Sequence, residues 1–446
     1  MVKSAVDFTH DLRFGGLPAA VVGQAKACLL DLAAAGASGL GTRVSRIIRD
    51  HAAHHLRSSG RGARMLLDGR RVGPTGAALA GGMTIDAFDS HDGHVLTKGH
   101  AGAAVLPALL AAIEDGKPCN GRELLTSLVL GYEIAIRAGI ATHRISKEYP
   151  TSGSWNALGA ASVAARRWKL PAAATRHALG IAEYHGPRSP MMRCIDFPTM
   201  VKDGSGWGAM VGIDATLLAQ AGFTGAPALV AEGEEVRDLW QDLGTRWRIL
   251  ELYFKPFPVC RWAQPAIRAT LGLMAEHGIA AKQVADISVS TFHEATRLAS
   301  RTPATTEEAQ YSLPFPVAAA MIHGRVGPAE IDGPGLRDRA VLAMSRRIRL
   351  IEDPKFSAAF PARRIARVEI ATRDGRTFRS EPTEALGDPE RPLSAEDLNG
   401  KYDALARPVL GPRRTTRLAA AVASLSLSGS DAAPVVDLLL AAPRRT

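Results

Sequence analysis

The sequence predicts a mostly α-helical protein in three parts: a large all-helical domain over residues 1–268, a smaller α+β domain over residues 269–404, and a C-terminal segment, residues 405–446, that returns to the helical domain. Three observations carry this. Runs rich in alanine, glycine and leucine follow one another to about residue 220 with almost no strand-like alternation. After about residue 270 the pattern changes: Val284 to Phe292 alternates with the two-residue period of a half-buried strand, and Ala366 to Glu381 reads as a hairpin turning on Asp374-Gly375. From Arg413 to Leu440 the Ala/Leu pattern of a packed helix comes back. A chain of 446 residues is also too long for one ordinary hydrophobic core.

The elements follow in order. A core helix runs from Pro18 to Gly41, ended by glycines, and a more polar surface helix spans Arg43 to His55. Asp68-Gly69 marks the turn of a short hairpin. A small-residue helix from Pro74 leads into a polar loop, and the helix resuming after His100 has Pro107 near its start, where a missing N–H costs least. Gly121 to Thr142 is apolar nearly all round and is expected to be buried. Trp155 to Trp168, Pro171 to Ala182 and Ser205 to Ala221 complete the helical part. In the last of these, Gly206, Gly208 and Gly212 permit close helix approach. Pro314 to His323 and Arg337 to Ser345 are short helices of the second domain.

Composition narrows the function classes. Hydrophobic residues make up 46% and charged residues 22%, the balance of a soluble globular chain. The formal charge is +10, but the lysines and arginines are scattered rather than massed with aromatics. That argues against a nucleic-acid partner and for a basic pull on small anionic substrates. Four cysteines without a CxxC predict no disulfide framework and no zinc site, and fit a reducing cytoplasm. The N-terminus lacks the apolar run of a signal peptide, and no uninterrupted apolar run of about eighteen residues predicts a membrane span.

Chemistry concentrates in four stretches. The loop within Gly81 to Ala112 carries Asp86, Asp89, His91, Asp92, His94, Lys98 and His100 between two apolar helices. Titratable groups against apolar walls can have their pKa values tuned for proton transfer. His91 and His94 match no HExxH-like ligand spacing, so acid–base work is expected here rather than metal binding. The Gly-rich turn IDFPTMVKDGSGW places Lys202 and Asp203 at a helix start suited to a carboxylate or phosphate. YFKPFPVCRW presents Lys255 and Arg261 among aromatics and prolines. KEYPTSGSW offers Tyr149, Ser152 and Ser154, where helix capping explains the serines as well as catalysis does. There is no GxSxG, no GxGxxG after a strand and no GxxxxGK[ST].

Read together, HDGHVLTKGHAGAAVLP, GRELLTSLVLGYEIAIR, ALGAASVAARRWKL, the Lys202 turn, YFKPFPVCRWAQPAI and AQYSLPFPVAAAM stand in the order found in the MmgE/PrpD family, which the chain resembles from about residue 5 to 430. That family includes 2-methylcitrate dehydratase, cis-aconitate decarboxylase and iminodisuccinate epimerase. The resemblance implies a large helical domain with a smaller α+β lid, a homodimer, and chemistry without a metal or organic cofactor. It also implies that Asp89 and His100 are the loop's acid–base pair and that Lys202 and Lys255 are the site's two lysines. Two positions depart from decarboxylase-like members: Tyr149 stands where they have a histidine, and Phe315 where they have a tyrosine, with Tyr311 four residues earlier.

The expectation is therefore a proton-abstracting enzyme acting alpha to a carboxylate of a small di- or tricarboxylic acid. Lys202 and Lys255 would clamp carboxylates, assisted by His91 and Arg261 as substrate-binding residues. Asp89 would orient His100, and Tyr149 would be a second acid/base on the opposite face. The two departures tilt the expectation toward an epimerase resembling iminodisuccinate epimerase, over a dehydratase, a decarboxylase or a catalytically silent organic-acid binder.

Overall fold

In the computed structural model, which describes residues 4–443, small side chains let the first domain's helices approach closely. Pro74–Ile85, Gly102–Asp115, Gly121–Ile145, Gly153–Trp168 and Ser205–Gln220 pack around one apolar core. At one crossing a Cβ built on Gly82 would lie 2.6 Å from the Gly206 Cα. A side chain there would force apart the helix that precedes the Asp89 loop and the helix that follows Lys202. Pro107 lies in the second turn of its helix rather than near its start. Its ring is accommodated because Gly81 has no side chain: a Cβ there would meet the Pro107 Cβ at 2.6 Å.

Ala19–Gly39 and Gly121–Ile145 are long and apolar enough to cross a bilayer by length and composition alone. Their most apolar windows are 56% and 100% buried against protein, as expected of core helices.

The α+β domain is organised on Val284–Thr291, which pairs antiparallel with Ile365–Thr372 and parallel with Ile348–Glu352. Thr377–Arg379 completes the hairpin and Thr383–Glu384 pairs with the start of Ile365–Thr372. Gly375 takes φ +86 in the expected turn. Ile287, Val289, Val368 and Ile370 point from one face into a second core, shared with Gln264–His277 and Pro314–His323.

The chain re-enters the helical domain earlier than residue 405. Ala395–Leu410 packs along Ala19–Gly39, with Tyr402, Leu405, Ala406 and Leu410 in the first core. The expected boundary at 404 thus falls inside a helix. Its start is set by a capping box, in which Ser394 Oγ accepts the Asp397 N–H at 3.0 Å and Asp397 accepts the Ser394 N–H at 3.1 Å. Pro412–Ser424 and Ala433–Leu440 then close the core.

Gly93–His94 of the polar loop pairs antiparallel with Leu252–Tyr253, on the segment that leaves the helical domain. One residue further on, the Phe254 N–H donates to the Gly387 carbonyl at 3.0 Å, where the chain comes back.

Candidate active site

His100 is held by both of its backbone polar groups. Its N–H donates to Ser152 Oγ at 2.9 Å, and its carbonyl accepts from Asn156 Nδ2 at 3.1 Å. On the ring, Nδ1 lies 2.6 Å from the Asp92 carbonyl oxygen. A carbonyl can only accept, so Nδ1 carries the hydrogen and Nε2 keeps its lone pair. Nε2 lies 3.6 Å from Asp89 Oδ1. Burial, then the charge of Lys255 and the neighbouring His91, hold the imidazole well below its ordinary pKa. At neutral pH the ring is a neutral, buried base.

Asp89 is ion-paired with Lys255, whose Nζ also reaches the Asp89 carbonyl oxygen at 3.2 Å. Burial alone would raise the Asp89 pKa. Lys255, His100 and Lys202 outweigh it and keep the carboxylate well below its usual range. Lys202 has φ +51, a left-handed backbone that costs a non-glycine residue about 1–2 kcal/mol. This strain aims its Nζ at Gln310 Oε1, with the Tyr311 ring centre 5.0 Å away. Gln310 Oε1 also accepts the Asp89 N–H at 3.0 Å, and its Nε2 donates to the Ala87 carbonyl and Thr306 Oγ1, each at 3.0 Å. One lid side chain therefore holds both Lys202 and the Asp89 loop.

Behind His100, Asp203 accepts the Ser152 N–H at 2.8 Å and the Ser152 hydroxyl. Burial, then the charge of Asp86, lift its pKa to about 7. His91 has Nε2 3.1 Å from Asp86 Oδ1 and stands edge-on to His100, with ring centres 4.3 Å apart at 80°. It packs the base in place.

The structure brings Asp89, His91, His100, Lys202 and Lys255 together, and gives Tyr149 and Arg261 other partners. The Tyr149 hydroxyl donates to the Lys98 carbonyl at 2.7 Å, and its ring lies under Lys98 Nζ and edge-on to His143. The Arg261 guanidinium is ion-paired with Asp388, donates to the Leu386 carbonyl at 2.9 Å and lies 4.4 Å from the Tyr253 ring centre. Phe315 is fully buried in the lid core.

Gln310 and Tyr253 are contributors that sequence reasoning passed over. Gln310 stands in the AQYSLPFP motif beside Tyr311. Tyr253 crowds the loop so closely that a Cβ on Gly93 would lie 2.4 Å from its hydroxyl and 2.9 Å from His100 Nδ1.

Asp89, His91 and His100 offer ligand atoms within 4.8 Å of one another. A metal ion fits poorly there, because Lys255 already occupies the Asp89 carboxylate with positive charge and Asp86 takes His91 Nε2. A groove of about 560 Å³ at the domain seam is lined by His94, Arg261 and Arg364, and a separate cavity of about 540 Å³ is lined by Lys202, Cys194 and Trp207.

A helical body, an α+β lid laid over its polar loop, and a buried aspartate–histidine cluster with two lysines at their junction define a cation-lined acid–base protein. The chain belongs to the MmgE/PrpD family: residues 3–240 match the MmgE/PrpD N-terminal domain and residues 257–427 the MmgE/PrpD C-terminal domain. Among similar proteins, cis-aconitate decarboxylase of Mus musculus is 24% identical over 437 residues, covering 92% of this chain and 87% of that protein. The cis-aconitate decarboxylase-like protein of Aspergillus oryzae is 23% identical, covering 95% of this chain and 94% of its own. Cis-aconitate decarboxylase of Aspergillus terreus is 21% identical, covering 84% and 83%.

Proposed function

We propose that the chain is a cofactor-independent lyase that acts on a small di- or tricarboxylic acid and moves a proton at a carbon alpha to a carboxylate. The observation that carries this is the neutral, buried His100 imidazole, whose free Nε2 faces the Asp89–Lys255 ion pair. A base of this kind can take a proton without first losing one, and Asp89 stabilises the imidazolium that forms. Lys202 and Lys255 are preorganised to neutralise a substrate carboxylate and the enolate charge that develops beside it.

A two-base epimerase needs a second proton-handling group on the opposite face of the carbon. Tyr149 was the sequence's candidate, and its hydroxyl is engaged by the Lys98 carbonyl. With the decarboxylase relatives, this favours elimination over inversion. An apolar surface around the Lys202 cavity, formed by the exposed Phe197, Val201 and Trp207, supports a homodimer.

The test is to incubate the protein with candidate acids in heavy water and follow three signals. These are deuterium at the alpha carbon, ultraviolet absorbance from a new conjugated alkene, and released carbon dioxide. Deuterium with loss of water or carbon dioxide, abolished in His100→Ala, supports the lyase. Deuterium with inversion alone returns the chain to the epimerases. No exchange with any acid that binds would make it a silent binder.

A further inference from the structure

Arg364 stands immediately before the lid strand Ile365–Thr372, at the domain seam. It is only 8% exposed, and its Nε has no hydrogen-bond partner. Its sole hydrogen bond among the described residues is a long one, 3.5 Å from Nη2 to the Val95 carbonyl, and its guanidinium lies 5.8 Å from the Phe360 ring centre. A buried guanidinium without a carboxylate is costly, so this position is paradoxical in the ligand-free protein.

Its surroundings sharpen the point. Five arginines line the seam groove against four carboxylates. Arg261 is paired with Asp388, Arg363 with Glu384 and Arg246 with Glu251. Arg391 reaches Glu384 at 3.9 Å, and Glu390 is exposed at the rim. Arg364 is left over. It also reaches the polar loop: the Val95 carbonyl it contacts lies between Asp89 and His100 in the chain, and Val95 and His94 line the same groove.

We infer that Arg364 is the recognition residue for a second carboxylate of the substrate, received on its guanidinium in the seam groove while the reacting end lies against His100 and Lys255. This rests on the function proposed above and deepens it: the preferred substrates carry at least two carboxylates, separated by the span from the acid–base cluster to the groove. A guanidinium presents paired N–H donors in the geometry of a carboxylate, which explains an arginine at this position. Because Arg364 is on the lid and His100 on the body, a dicarboxylate would also bridge the two domains.

Binding of three unreactive probes, tricarballylate, succinate and acetate, is measured by calorimetry on the wild type, Arg364→Met and Arg364→Lys. The expected result is that Arg364→Met weakens tricarballylate and succinate by about 10- to 100-fold and leaves acetate unchanged. Arg364→Lys should recover part of the loss. The ligand-free Arg364→Met protein should melt at a higher temperature than the wild type, since the unpaired charge is gone, which separates lost recognition from lost folding. Wild-type affinity of Arg364→Met for the polycarboxylates overturns the assignment and leaves the lyase proposal standing. If the wild type binds none of the three probes, the lyase proposal fails and this inference falls with it.

Discussion

Around Asp89 the charged groups have partners within the protein, Lys255 the Asp89 carboxylate and Lys202 the Gln310 amide, whereas in the seam groove the Arg364 guanidinium has no carboxylate partner among the described residues. The first region is assembled from the polar loop, the Lys202 turn, the interdomain segment and Gln310, and its polarity is fixed before substrate arrives. The second is completed by the ligand. Preorganised charge lowers a barrier because nothing has to reorient during reaction. A charge left unpaired until binding contributes selectivity, since an acid lacking the matching carboxylate leaves it unsatisfied. On the proposed function, the cluster would govern rate and the groove would govern choice.

The sharpest break in that division is His100→Ala. It should lower kcat by about 10²–10⁴-fold with little change in KM, read by deuterium exchange. In the wild type, protonating His100 removes the base, so activity is lost as pH falls. Because burial and Lys255 depress this pKa, the acid limb of kcat/KM should lie well below the 6.5 of an ordinary histidine.

Lys255→Met attacks the same cluster through stability. It strands the Asp89 carboxylate in the interior and should cost about 3–5 kcal/mol, measured by denaturant unfolding. The Asp89 pKa is depressed in the folded wild type, so its contribution is present above the ordinary carboxylate pKa and lost on acidification. Without Lys255, burial dominates and lifts the Asp89 pKa, so the sign reverses: the variant should regain stability as pH falls and the stranded carboxylate is protonated.

Asp203 behaves in the opposite sense. Its folded pKa of about 7 lies above the unfolded value, so its contribution is full below about pH 4 and lost as pH rises toward 7. Asp203→Asn should flatten that slope in melting curves recorded from pH 4 to 8. Persistence of the full slope would assign it to Asp92, lifted by burial and Asp31 to about 6, and Glu133, lifted by burial to about 7.

The smallest effect is expected for Tyr149→Phe: loss of one hydrogen bond, about 0.5–1.5 kcal/mol of stability, and less than a tenfold change in kcat. A far larger drop in kcat would restore Tyr149 as a proton-handling group.

Much of this was readable from the chain. Small-residue runs dictated buried helices, alternation at Val284–Thr291 and Ile365–Thr372 dictated strands, and motif order pointed to Asp89, His100, Lys202 and Lys255, which do converge. Sequence could not say where a polar tip would find its partner. Arg261 and Arg364 are both arginines beside aromatics, but Asp388, more than a hundred residues beyond Arg261, neutralises one, and no carboxylate among the described residues neutralises the other. Tyr149 sits close to the expected place in the chain, and the Lys98 carbonyl captures its hydroxyl. Gln310 carries no charge or motif signature of its own, and its importance lies in holding Lys202 and the Asp89 backbone at once.

The hydrogen bond between Phe254 and Gly387 joins the point where the chain leaves the helical body to the point where it returns. Topologically the lid is an insertion whose two ends are already neighbours, so it is exchangeable: a different α+β segment grafted between these positions would meet the same body. With His100 on the body and Arg364 on the lid, such an exchange would alter which acid is selected and leave the proton chemistry intact. Gln310 and Lys255 would have to travel with the graft, because the exchanged segment also supplies the hand that steadies Lys202 and the cation paired with Asp89.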